Sequence, residues 1–239
     1  MRYGFAKLRT ASALGCLVGF SLTIFGSSAV AGENGANRAA TGTPVVQGSS
    51  LTSRSEDDGW VGQVYIYVGG SLPTGTNLLE FRFLFDKNSI GNTTGVITPL
   101  LFEYSPVEAY NIYTLVGIGK GFEVTLNAAP QAIPFDVIEG TKATTGPNFT
   151  FGYINAIVNS SGTPVLASPG TVDYDNPTDG GQGVAGTGTT NDWVCSGVTA
   201  TQGPTIPLGT TFGVSGADYG FCLPYRTYSA QAVGVVAAQ

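Results

Sequence analysis

The densest group of potential ligand oxygens in this chain is Asp173, Asp175, Asn176 and Asp179, in the stretch GTVDYDNPTDGG. Calcium takes six to eight oxygen ligands, and closely spaced carboxylates, a side-chain amide and loop carbonyls can supply most of them. These four residues are therefore the candidate metal site. The stretch is not an EF-hand: counted from Asp173, Pro177 stands at the third ligand position and Val184 where that loop carries a bidentate Glu. Asp and Asn also hydrogen-bond their own backbone, so a plain turn accounts for the same residues. A second acidic run, Glu56-Asp57-Asp58, reads as solvated charge. Tyr174 and Trp193 border the Gly/Thr-rich stretch that follows and are the candidate ligand-binding residues. A sugar ring stacks its apolar face on such rings while its hydroxyls meet Asp and Asn. Trp60, Tyr65, Tyr67 and Tyr219 could widen that platform, although Tyr and Trp equally fill β-sheet cores.

For catalysis the chain is poorly equipped. It has no His, which removes the usual zinc ligand, the Ser-His-Asp arrangement and the commonest general base. No G-x-S-x-G, phosphate loop or dinucleotide fingerprint occurs. Paired carboxylates, as in glycoside hydrolases, are the remaining machinery, with Glu80, Glu103, Glu108, Glu123, Asp136 and Glu139 available. Most of them alternate with apolar residues, as outward-facing strand positions do. The sequence thus reads as non-enzymatic, with a glycan-active hydrolase as the remote alternative.

Residues 1–31 have the order of a secretory signal peptide: Arg2, Lys7 and Arg9, an apolar run, then Ala29-Val30-Ala31 before Gly32. The apolar run is short for a membrane span, so the mature chain is expected to carry no transmembrane anchor. Removing three of the ten basic residues and none of the sixteen acidic ones takes the formal charge from −6 to −9. That balance disfavours nucleic acid, which needs a basic stripe. Export places Cys195 and Cys222 in an oxidising compartment, where a disulfide between them is the expectation. A redox pair is the weaker reading because the C-x-x-C spacing is missing.

The elements that must position these residues are strands. Gly and Pro are abundant, only 11% of residues are charged, and Thr, Val, Tyr and Phe recur, a composition that disfavours helix. Residues 32–58 are small and polar with one apolar pair, Val45-Val46, and read as a flexible N-terminal arm. Their alternative is a donor strand that completes a neighbouring subunit's sheet, with TPVVQ as its strand signal. Residues 59–239 are expected to form one domain. In GWVGQVYIYVGG both faces are apolar or aromatic, which predicts an interior strand. Phe81, Phe83 and Phe85 alternate with Glu80, Arg82 and Leu84, so one face belongs to a core. The stretch from residue 77 to 119 then predicts a meander of three strands, its first turn at DKNSIGNTTG. Phe149, Phe151 and Tyr153 repeat the aromatic face, and two such faces are what two opposed sheets need. The fold class expected is all-β: a two-sheet antiparallel β-sandwich, jelly-roll-like, with a disordered N-terminal arm.

These readings converge on a secreted, extracellular or cell-surface protein without catalytic activity. It would bind a glycan or surface polymer, with calcium as its possible cofactor. The alternative is a structural subunit of an extracellular coat, matrix or filament whose partners are copies of itself.

Overall fold

The structure, a computed structural model, describes residues 42–54, 61–86, 91, 93–107, 110–170, 172–175, 192–195, 205–213 and 222–237. No helix occurs among them. The strands in the first half are β1 (Gly42–Gly48), β2 (Val64–Ile66), β3 (Thr76–Phe85), β4 (Thr94–Val107), β5 (Tyr110–Gly119) and β6 (Phe122–Thr125). Then come β7 (Asn127–Pro134), β8 (Val137–Gly140), β9 (Phe149–Ile154), β10 (Ala156–Val158) and β11 (Pro164–Ala167). The last are β12 (Tyr174–Asp175), β13 (Asp192–Cys195), β14 (Thr211–Phe212), β15 (Cys222–Tyr228) and β16 (Ala230–Ala237). One sheet has the order β1-β16-β3-β7. The larger runs β12-β15-β13-β2-β9-β4-β5-β14, with β6 and β8 added beside β4 and β5, and β10 and β11 form a separate hairpin. The pairings are antiparallel.

The aromatic alternation builds the layer between the sheets. Phe81, Phe83 and Phe85 are fully buried, and across the gap Phe81 meets Phe151 at 6.2 Å and Tyr153 at 5.4 Å between ring centroids. Ala230 and Ala232 of β16 stand opposite Phe83 and Phe81, and such small side chains leave the rings room. The other face of β3 carries the Glu80–Arg82 ion pair, 2.8 Å apart and partly in water. β2 is an interior strand, as its sequence predicts, lying between β13 and β9. Tyr65 faces the layer between the sheets, while Val64 and Ile66 enter a second core with Leu100, Phe102, Leu115 and Phe212. The larger sheet is thus covered on both faces.

Two expectations change. β3 and β4 do not form a hairpin: β3 pairs with β16 and β7, whereas β4 pairs with β5, β6 and β9. The reason lies in their outer faces. Val96, Ile97, Leu100, Leu101 and Phe102 bury both sides of β4, which suits an interior strand of the sheet with two cores, while Glu80 and Arg82 give β3 a wet face. The β4–β5 hairpin of the meander does form, from Leu100↔Ile118 to Val107↔Tyr110. Part of the arm, in turn, is a strand. Gly42–Gly48 pairs along β16, whose edge supplies the backbone partners that so polar a segment cannot supply for itself. The observed order supports the antiparallel sandwich without establishing jelly-roll connectivity.

Candidate functional site

A cluster of buried polar residues meets where β15 turns into β16. Ser229, at that turn, donates its N–H to the Asp173 carbonyl (2.9 Å) and accepts from Leu84 N–H (3.0 Å). Asp173 N–H closes the ring by donating to the Leu84 carbonyl (3.1 Å). Asp173 Oδ1 accepts from Asp86 N–H at 3.2 Å. Ser229 Oγ accepts from Arg54 Nε at 2.8 Å and donates to the Thr52 carbonyl at 2.5 Å. Asp173 and Ser229 are both fully buried. Val172, anchored in the core between the sheets, draws Asp173 inward with it. Buried polar groups must be hydrogen-bonded, and these bonds fasten four distant chain segments at one corner.

Of the expected metal ligands, Asp173 is therefore inside the fold. Asp175 is placed only as a position in β12, opposite Thr227, and Asn176 and Asp179 lie outside the described residues. Among the described residues no three His, Cys, Asp or Glu side chains gather closely enough to hold a metal ion. The residues expected to bind ligand fall on either side of one strand: Tyr174 pairs with Tyr228 and Trp193 with Pro224, so β15 runs between them. The two positions are offset by roughly 13 Å along it.

Tyr65 and Tyr67 do not offer a sugar platform. Tyr65 stacks on Tyr153 at 4.4 Å and Tyr67 on Phe151 at 5.1 Å, inside the core. The Tyr65 hydroxyl accepts from Asn155 Nδ2 (3.0 Å) and donates to Gln63 Oε1 (3.3 Å). A cavity beside these rings, reaching Tyr228 and Ala230, has a volume of about 10 Å³, room for about one water molecule and far too little for a sugar. Trp60 and Tyr219 lie outside the described residues, as do the Glu56–Asp58 run and Glu108. Glu103, Glu123, Asp136 and Glu139 are exposed.

Cys195 and Cys222 stand directly opposite each other in the β13–β15 register. Facing residues of antiparallel strands have Cα atoms about 4.5–5.5 Å apart, within the span a disulfide bridges.

A second site is the seat of β1. Its seven residues pair with β16 from Gly42↔Ala237 to Gly48↔Gln231. None of the seven is buried; Val45 touches the core and Val46 is 57% exposed. Both end glycines lie against β16 backbone: a Cβ on Gly42 would be 2.3 Å from the Val236 carbonyl oxygen, and one on Gly48 2.2 Å from that of Ala230. Gly48 also has a φ of 134°, which side chains rarely adopt. The signals for this seat, Gly42, TPVVQ and Gly48, are visible in the sequence, whereas nothing there marks Arg54 or Ser229. Compared with known proteins, the chain matches no family model, no curated protein and no solved structure. No helix among the described residues is long and apolar enough to cross a membrane.

Proposed function

We propose that this chain is a secreted structural subunit that builds an extracellular coat, matrix or filament from copies of itself through the β1 edge of its four-stranded sheet. The observation that carries the reading is β1, an edge strand held along β16 with none of its residues buried. An edge strand presents unpaired N–H and C=O groups to any further strand, and main-chain bonds then supply affinity. Cys195 and Cys222, facing each other in register, would clip the larger sheet by losing two electrons and two protons to a thiol–disulfide oxidant of the export compartment.

The test is molar mass by light scattering over a thousandfold range of concentration, with negative-stain microscopy of the same samples. Mass should rise into regular assemblies, and Val46→Lys should suppress it where a neighbour's strand adds to β1, since a lysine on a sheet edge blocks strand addition, but not where β1 itself is exchanged. A monomer throughout would overturn the proposal.

One observation favours a second reading. Tyr174 and Trp193 flank β15, so a glycan or surface polymer lying along that strand would pass both positions. Retention on a polysaccharide column, lost in Trp193→Ala, would support it. Calcium enters only through this reading, and a rise in retention with millimolar calcium over EDTA would mark its part.

A further inference from the structure

We infer that β1 is exchanged between copies: in the assembly, residues 42–47 of one chain lie on β16 of the next, and the hinge is Gly48, which leaves its own seat. This rests on the self-assembling reading above and names its partner, a second copy of this chain. The occupant of the seat is already known, because β1 fills it within one chain in a continuous register of seven pairs. An identical strand from a neighbour restores the same pairs from Gly42 to Gln47, so exchange replaces the contacts that it breaks outside the hinge.

The contacts divide sharply at Gly48. On its N-terminal side Thr43, Pro44 and Val46 are exposed, and Val45 alone of the β1 side chains packs against the core. On its C-terminal side the chain is fastened to the body. Ser49 N–H donates to the Ala230 carbonyl at 3.0 Å, Arg54 Nε to Ser229 Oγ at 2.8 Å, and Ser229 Oγ to the Thr52 carbonyl at 2.5 Å. Arg54 Nη2 also donates to the Ser50 carbonyl at 3.2 Å, holding that segment in its turn. Residues 49–54 thus remain docked while the six before Gly48 swing out. Gly48, at φ 134° and packed against β16 backbone, is the point where the path bends.

Val46 and Val233 are register partners, so the pair Val46→Cys with Val233→Cys reports whose β1 occupies the seat. The full chain carrying both substitutions is oxidised at low and at high concentration and run on a non-reducing denaturing gel, beside each single variant. Exchange predicts a ladder of linked chains at high concentration that needs both cysteines. Oligomers by light scattering with the double variant linked only within single chains would overturn the exchange and leave the subunit reading standing. A dimer from Val46→Cys alone would overturn it in favour of β1 meeting β1 edge to edge. A monomer at every concentration would overturn both readings. Gly48→Ala strains the closed bend and should raise the linked fraction severalfold; a fall would show that the hinge lies elsewhere.

Discussion

β16 pairs with β3 on one side and with β1 on the other, both antiparallel and both over most of its length, yet the two contacts hold by different means. Against β3, Ala230 and Ala232 face Phe83 and Phe81, and the rings are sealed between two sheets. Against β1 the backbone bonds are the same in kind, but none of its seven residues is buried and only Val45 touches the core. A backbone hydrogen bond contributes about 1 kcal/mol net, whereas fully burying a large apolar side chain contributes about 1.5–3 kcal/mol. Register therefore comes from the ladder on both sides, and permanence only from the side with burial.

The largest expected effect tests the buried side. Phe83→Ala should cost about 3–5 kcal/mol in urea unfolding, the usual range for emptying a core aromatic position. A loss below about 1 kcal/mol would mean that β3 is held no better than β1. Next comes the larger sheet, where the proposed clip would make the β13–β15 contact covalent. Reduction, or Cys195→Ser with Cys222→Ser, should lower stability by about 3–4 kcal/mol in the chain-entropy model for a loop of this length. Two free thiols in the untreated, denatured chain, counted by alkylation and intact mass, would remove the clip. Ser229→Ala takes away the partner of Arg54 Nε and should cost about 1–3 kcal/mol, with faster amide exchange at Ser49. Unchanged exchange there would mean that the segment after β1 is held by something other than Ser229. The smallest change belongs to the exposed side: Val46→Thr should stay within about 0.5 kcal/mol, and a larger loss would show that β1 buries more than its exposure indicates.

What was legible in the sequence followed from periodicity. Alternation told which face of β3 is buried and that β2 is interior, because side-chain direction repeats every two residues wherever a strand lies. It could not tell which strand lies beside which. The turn after Phe85 reads as a hairpin, but a loop of that length can also lead to another sheet, as it does here. The site was harder still. Asp173 looked like a loop ligand because acidic residues follow it, and its burial is set by Val172 and by Leu84, Asp86 and Ser229, all remote in sequence. Arg54 and Ser229 are 175 residues apart, and neither belongs to a motif. Tyr65 and Tyr67 show the same limit from the other side: composition admitted both a platform and a core, and only the opposing sheet decides between them.

The register of β1 also fixes how this part of the molecule would respond to a pull. Gly42 lies opposite Ala237, so tension applied between those two residues acts at one end of the ladder and opens it like a zipper, one pair at a time. A ladder loaded along its length shares the force among all its bonds, whereas this one meets it singly. β1 would come away at low force, with the aromatic layer beneath β3 still closed, giving the fold a mechanical fuse at its margin.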